Sequence, residues 1–166
     1  MTPKIRPMAS EDKPAIMQIL RAIPEFKPAE VVVAEEVIDS YLRDPSGSGY
    51  CVFVAEVDSV IVGYVCYGPT PMTEGTWDMY WLAIAPKEQG RGIGKALFAH
   101  AEGKIREAQG RLAIIETSSK PEYERARHFH YSQGYELICR IADFYAPGDD
   151  KLVFQKRFRA SSGVRQ

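Results

Sequence analysis

Several things are scarce in this 166-residue chain. No sign of charge is in excess: Lys plus Arg number 21, Asp plus Glu number 22, and the net charge is −1. A protein that works on phosphate backbones carries a clear basic surplus, so nucleic acid is not expected as the main partner; a local basic patch is still compatible. Cysteines are few (Cys51, Cys66 and Cys139), widely spaced, and form no C-x-x-C pair, which argues against a disulfide framework or a zinc site. No apolar run exceeds Met79 to Ala85, far short of the roughly 20 residues that span a bilayer. Met1 to Ser10 contains no apolar h-region of a secretory signal. These absences lead to the expectation of a soluble, cytoplasmic protein with no metal and no membrane partner. What is present, 45% apolar and 11% aromatic residues, excludes whole-chain disorder. The length suits one core, so a single domain is expected over residues 1–160, with a frayed tail over 161–166.

The pattern along the chain gives an order β-α-α-β-β-β-α-β-α-β-β. Lys4 to Met8 reads as a first strand. Ser10 reads as a helix cap followed by Glu11 and Asp12, then Ile16, Ile19, Leu20 and Ile23 at helical spacing up to Pro24. A second helix is expected from Pro28 to Arg43. Tyr50 to Val57 and Val60 to Tyr67 are strands joined at Asp58-Ser59 as a tight hairpin; both are nearly all apolar, so both faces are expected to be covered. Thr76 to Ile84 is the next strand. A glycine-rich turn leads into a helix from Gly92 to Ala108, followed by a strand from Leu112 to Thr117. A helix from Tyr123 to Gln133 ends at Gly134, the position of a left-handed cap. Tyr135 to Ile141 and Lys151 to Lys156 form a last antiparallel pair, with Pro147, Gly148, Asp149 and Asp150 in the connection. This order implies a mixed sheet with helices on both faces.

The most specific signal is Gln89-Gly90-Arg91-Gly92-Ile93-Gly94-Lys95 between a strand and a helix. Glycines there let a ligand approach the backbone. The first-turn amides of the helix have no partners within it and sit at the positive end of its dipole, which suits a phosphate or pyrophosphate. A Walker A loop fails, because Gln89 stands where its first glycine belongs and Ala96 follows Lys95. A dinucleotide fingerprint fails as well: counted from Gly90 or Gly92, its third glycine falls on Lys95 or Leu97. A plain turn accounts for one glycine better than for three.

Leu82-Ala83-Ile84-Ala85-Pro86 followed by Gln89-Gly90-Arg91-Gly92-Ile93-Gly94 resembles the acetyl-CoA-binding signature Q/R-x-x-G-x-G/A of the GNAT N-acetyltransferases. The likeness extends to Ile115-Glu116-Thr117 and to Ala126-Arg127-His128-Phe129 up to Gly134-Tyr135, and to the order of elements. It implies an α/β fold with a mixed, mostly antiparallel sheet of about seven strands flanked by four helices, with strands four and five splayed. It also implies acetyl-CoA as cosubstrate. Backbone amides from Gly90 to Lys95 would hold the pyrophosphate, with Arg91 and Lys95 adding charge. The pantetheine arm would pair along Leu82, Ala83 and Ile84 like an added strand, and the Ile84 N–H would face the thioester oxygen. Gln89, Tyr123 and Ala126 complete the expected binding residues. The family often has Asn where Tyr123 stands, three residues before the Ala of this helix.

The implied reaction is direct attack of a primary amine on the thioester in a ternary complex. An ammonium has no lone pair, so a base must remove a proton, and a thiolate leaving group needs an acid. Asp78, six residues before Ile84 and on the same face by period-two geometry, is the first base candidate, with an exposed strand-end carboxylate as the plainer reading. Glu116 is the second, or else a structural acceptor; an acid within that apolar strand is costly to bury unpaired. The family usually has Tyr four residues before the closing glycine. Here His130 stands there, with Tyr131 next to it. His130 as imidazolium, Tyr131 as phenol and a plain core histidine all stay open. Trp77, Tyr80, Trp81, Tyr67, Phe144 and Tyr145 form either a substrate mouth or core. The resemblance implies that Asp143-Phe144-Tyr145, Asp149 and Asp150 on the last hairpin lie near the acceptor, where acids would suit a cationic amine; solvated turn acids are the favoured, plainer reading of Asp149 and Asp150.

The leading expectation is therefore an acetyl-CoA-dependent N-acetyltransferase acting on a small molecule, amino acid or peptide, with a homodimer left open. The alternatives are a non-catalytic acyl-CoA-binding regulatory module, a protein-interaction domain using exposed aromatics, and a ping-pong route through one of the cysteines.

Overall fold

The computed structural model describes residues 2–159; the tail expected at 161–166 lies outside them. Seven strands and four helices follow the expected order: β1 (Lys4–Pro7), α1 (Lys13–Ala22), α2 (Pro28–Arg43), β2 (Cys51–Val57), β3 (Val60–Pro69), β4 (Thr76–Ile84), α3 (Ile93–Glu107), β5 (Leu112–Ser118), α4 (Glu124–Ser132), β6 (Glu136–Ala146) and β7 (Asp149–Arg157). The sheet order is β1-β2-β3-β4-β5-β7-β6, with β4 parallel to β5 and the other pairs antiparallel. The β4–β5 ladder is short. Thr76, Trp77 and Asp78 pair with Leu112, Ala113 and Ile114, while β4 runs on to Ile84 and β5 to Ser118.

The described residues divide into two compact units, the dividing line passing through β4 and α3: 79–102 go with the chain up to Gly68, and 69–78 go with the chain from Gly103 on. In the first, α1 and α2 pack against β2 and β3 around Ile16, Leu20, Ile38, Val54 and Tyr64. The apolar positions of α1 recur at helical spacing, and Ile16 and Leu20 are fully buried. Ser10 does not cap this helix. It lies in a 3-10 turn, Ser10–Asp12, which the Asp12 carboxylate braces by accepting the Ala9 N–H at 2.8 Å, and α1 begins after it at Lys13. Asp12 also takes a two-pronged bond from Arg6, at 2.7 and 2.9 Å, which holds its carboxyl below the usual range. At α2, Pro28 stands first and Glu30 accepts the Lys27 N–H at 3.3 Å. Asp58 and Ser59 both have positive φ (48° and 65°), as a two-residue hairpin turn requires. The expectation that both strands are covered on both faces is met by β3, buried without interruption from Val62 to Gly68, and not by β2, where Cys51, Phe53, Glu56 and Val57 are half-buried.

In the second unit β5, β7 and β6 form an antiparallel ribbon, and α4 lies over Phe154, which is fully buried. Gly134 ends α4 at φ +87°. Two expectations fail here. β6 extends to Ala146 and β7 begins at Asp149, so Asp149 and Asp150 are strand residues. They are also buried, at 3% and 9% exposure, and are not solvated turn acids. β6 itself is exposed along its whole length.

Candidate functional site

The end of β4 is fixed by the Ala85 N–H, which donates to the Val62 carbonyl of β3 at 2.8 Å. Backbone groups alternate along a strand, so the N–H and C=O of Leu82 and Ile84 point away from β3. Gln89 confirms that direction, since its Nε2 donates to the Ile84 carbonyl at 3.2 Å and so ties the following turn back to the strand. Ala83, on the alternate face, is buried.

Gly90 and Gly92 then take left-handed backbone, φ +79° and +83°, with no atom within 4 Å of where a Cβ would stand on either. The first helical bond of α3 runs from the Ala96 N–H to the Gly92 carbonyl at 3.0 Å. The amides of Ile93, Gly94 and Lys95 therefore have no acceptor within the helix. Ile93, Leu97, Phe98 and Ala101 are buried along one face, which anchors the turn while Gly90, Arg91, Gly92 and Lys95 remain exposed. Arg91 departs from expectation. Its guanidinium is paired with Glu88 at 2.6 Å, so part of its charge is already compensated, and Lys95 is the more available cation.

The residues expected to do chemistry lie in the other unit. Asp78 is half-buried, not a plain exposed carboxylate, and accepts a hydrogen bond from the Thr70 hydroxyl at 2.6 Å. Glu116 is exposed and ion-paired with Lys151 at 2.8 Å, so the burial cost anticipated from the sequence does not arise. His130 is buried against the Phe154 ring, with centroids 5.7 Å apart. Burial pushes its pKa down to about 4, so the imidazole is neutral near pH 7 and the expected imidazolium is not formed there. Tyr131 packs edge-on against the same ring at 5.1 Å and is half exposed. Tyr123 closes a 3-10 turn, Pro121–Tyr123, just before α4, and Ala126 sits in the first turn of that helix; both are half-buried.

Sequence reasoning missed a polar network beneath that turn. The Ser118 hydroxyl donates to Asp149 and accepts the Lys120 N–H at 3.1 Å. Arg127 donates to the carbonyls of Ser118 and Lys120, at 2.8 Å each. Ser119 exchanges two bonds with Asp150: its N–H reaches the Asp150 carbonyl at 2.9 Å, and its hydroxyl accepts the Asp150 N–H at 2.8 Å. Asp150 also accepts from the Asp143 N–H and from Arg140, which lowers its pKa. The available signal was Ser-Ser-Lys-Pro after a strand, a segment that must place its backbone groups somewhere.

The aromatic residues separate. Tyr67 is core, stacked on Phe53 at 6.2 Å, so it forms no mouth. Tyr80 meets Tyr50 edge-on at 5.5 Å, and Trp77 and Trp81 are half-buried. Phe144 and Tyr145 are about half exposed on β6. Burial raises the thiol pKa of Cys51 and Cys66, which makes thiolate scarce at neutral pH. Among the described residues there is no cluster able to hold a metal and no helix long and apolar enough to cross a membrane.

The profile of the acetyltransferase (GNAT) family matches residues 13–135 of this chain. The chain belongs to the GNAT family. A crystal structure of a protein assigned to the same family, from Desulfovibrio desulfuricans, is 35% identical with a TM-score of 0.90, covering 93% of this chain and 98% of that one. An uncharacterized N-acetyltransferase of Methanocaldococcus jannaschii is 29% identical over 108 residues. That match covers 64% of this GNAT chain and 66% of the relative, just under two thirds of the relative's length. The PaiA N-acetyltransferase of Thermoplasma acidophilum, solved in complex with coenzyme A, shares the fold at a TM-score of 0.75 and 15% identity, covering 95% of this chain and 100% of that one.

Proposed function

We propose that this protein transfers an acetyl group from acetyl-CoA to a primary amine of a small molecule, amino acid or peptide, by direct attack in a ternary complex. The observation that carries the reading is the pair of left-handed glycines, Gly90 and Gly92, open at their Cβ positions and leading into the first-turn amides of α3. Such a backbone suits a pyrophosphate, because it offers several N–H donors, a favourable helix dipole and no side chain in the way.

The residues present fit acetyl-CoA. The amides from Gly90 to Lys95 would hold its phosphates, with Lys95 supplying charge. Leu82 and Ile84, whose backbone groups point away from β3, would pair with the amides of its pantetheine arm. Acetyl-CoA supplies an acyl carbon already activated as a thioester. The Ile84 N–H would donate to the acyl oxygen as negative charge gathers there. Asp78 is the base in this reading. The Thr70 hydroxyl holds its carboxylate in one orientation, and the carboxylate takes a proton from the incoming ammonium through a water. With His130 neutral, the Tyr131 phenol is the better candidate to return a proton to the thiolate.

The test is a panel of primary amines with detection of free CoA thiol, run beside the melting temperature with and without acetyl-CoA. Stabilisation by acetyl-CoA together with amine-dependent thiol release supports the reading. Stabilisation without turnover across the panel would favour a binding module, and no stabilisation would remove both.

A further inference from the structure

The chain already holds one primary ammonium in a setting made for one. Lys151, on β7, lies diagonal to Glu116 of β5, whose direct partner is Val153, so the two side chains share a face. The Lys151 Nζ stands 2.8 Å from the Glu116 carboxylate and 4.3 Å from the centroid of the Phe144 ring on β6. A carboxylate on one side and an aromatic face on the other is a chemical description of an ammonium-binding site. The Lys151 side chain is only 15% exposed, whereas Glu116 and Phe144 are about half exposed. The two recognition groups thus reach solvent and the cation they hold is covered.

We propose that Glu116 and Phe144 form a subsite for the ammonium of the acceptor, and that Lys151 is a tethered occupant which an incoming primary ammonium displaces. The substrate class that follows is a primary amine on a flexible alkyl stem, as in a lysine side chain or a diamine, in preference to an aromatic or anionic amine. The inference rests on the reading of the chain as an amine acetyltransferase. It also reassigns Glu116 from base to binding residue, since its carboxylate already engages an ammonium as an ion-pair partner. A tethered competitor acts at an effective concentration in about the millimolar range, so its removal strengthens binding of small amines.

The decisive measurement needs no turnover. n-Butylammonium chloride is titrated by calorimetry into the wild-type chain, Lys151→Met, and Lys151→Met combined with Glu116→Gln or with Phe144→Leu, all checked for folding by melting temperature. Lys151→Met is expected to bind butylammonium about tenfold more tightly than wild type; adding Glu116→Gln abolishes that gain, and adding Phe144→Leu reduces it about threefold. Folded Lys151→Met that binds no better than wild type overturns the proposal, as does a gain that survives Glu116→Gln. If Lys151→Met does not fold, Phe144→Leu in the wild-type background takes its place, and unchanged KM for a diamine acceptor then overturns the subsite. Tight butylammonium binding without acetylation of any amine would keep the subsite and defeat the catalytic reading. Acetylation with the same amine KM in wild type and Lys151→Met would do the reverse.

Discussion

The glycine turn ahead of α3 and the group of side chains around α4, β5 and β7 belong to different compact units and are built on different principles. The first is made of backbone. Its donors are amides at a helix start, its shape comes from two left-handed glycines, and its side-chain ties, Gln89 to the Ile84 carbonyl and Arg91 to Glu88, join residues five and three apart. The second is made of side chains brought together across strands: Thr70 to Asp78, Lys151 to Glu116, Asp149 to Ser118, His130 and Tyr131 to Phe154. A backbone site tolerates change in most side chains but not in its glycines. A side-chain site responds to each partner separately. That contrast can be broken at specific positions.

The largest expected effect is on the side-chain group. Asp78→Asn should lower kcat/KM by about a thousandfold, with the loss concentrated at low pH where amines are protonated, and leave the acetyl-CoA Kd unchanged. An unaltered pH–rate profile would count against Asp78 as the base.

His130 carries the next effect, read as stability. Its pKa is about 4 in the folded chain because of burial, against about 6.5 unfolded. The unfolded chain therefore binds the extra proton in the window between those values. Folding stability is full above pH 6.5 and falls as the pH drops towards 4, by up to about 3 kcal/mol. His130→Gln should flatten this slope in urea titrations run across the window. If the wild-type midpoint does not move over that range, the buried neutral histidine is wrong.

On the backbone side, Gly92→Val puts a β-branched residue at φ +83° and a side chain into the open space where phosphate is proposed to lie. Acetyl-CoA binding should weaken by about a hundredfold, seen as loss of the thermal shift. Arg91→Ala is the small contrasting case. Because Glu88 already engages that guanidinium, the Kd should change by only about threefold. A loss at Arg91 comparable to that at Gly92 would mean the site depends on side chains after all.

The same contrast explains what could be read from the sequence. Helix α2, strand β4, the Asp58-Ser59 hairpin and the Gly134 cap were legible because each depends on local periodicity or on a residue's own φ preference. The glycine turn was legible for the same reason, and its failure to match two known phosphate motifs narrowed what the sequence could resemble. Asp149 and Asp150 were misread because two acids after Pro-Gly look like a solvated turn. Their burial depends on Ser118, Ser119 and Arg140, partners distant in sequence or across the hairpin. Ser10 is not the cap because a 3-10 turn, Ser10–Asp12, braced by the Asp12 carboxylate on the Ala9 amide, comes before α1 starts at Lys13. The neutral state of His130 was beyond local reading, because it depends on packing against Phe154 from another element.

Strand β6 ends the sheet, and its eleven residues are solvent-facing throughout, including Leu137, Ile138 and Ile141. A straight ribbon of that length would be a template on which further chains stack edge to edge into fibrils. Its ladder with β7 slips between Leu137 and Cys139 and again between Ile141 and Ala146, and Asp143 sits at φ +53°. Those irregularities interrupt the even row of amides that edge-to-edge stacking copies, so this edge is a poor template for fibril growth.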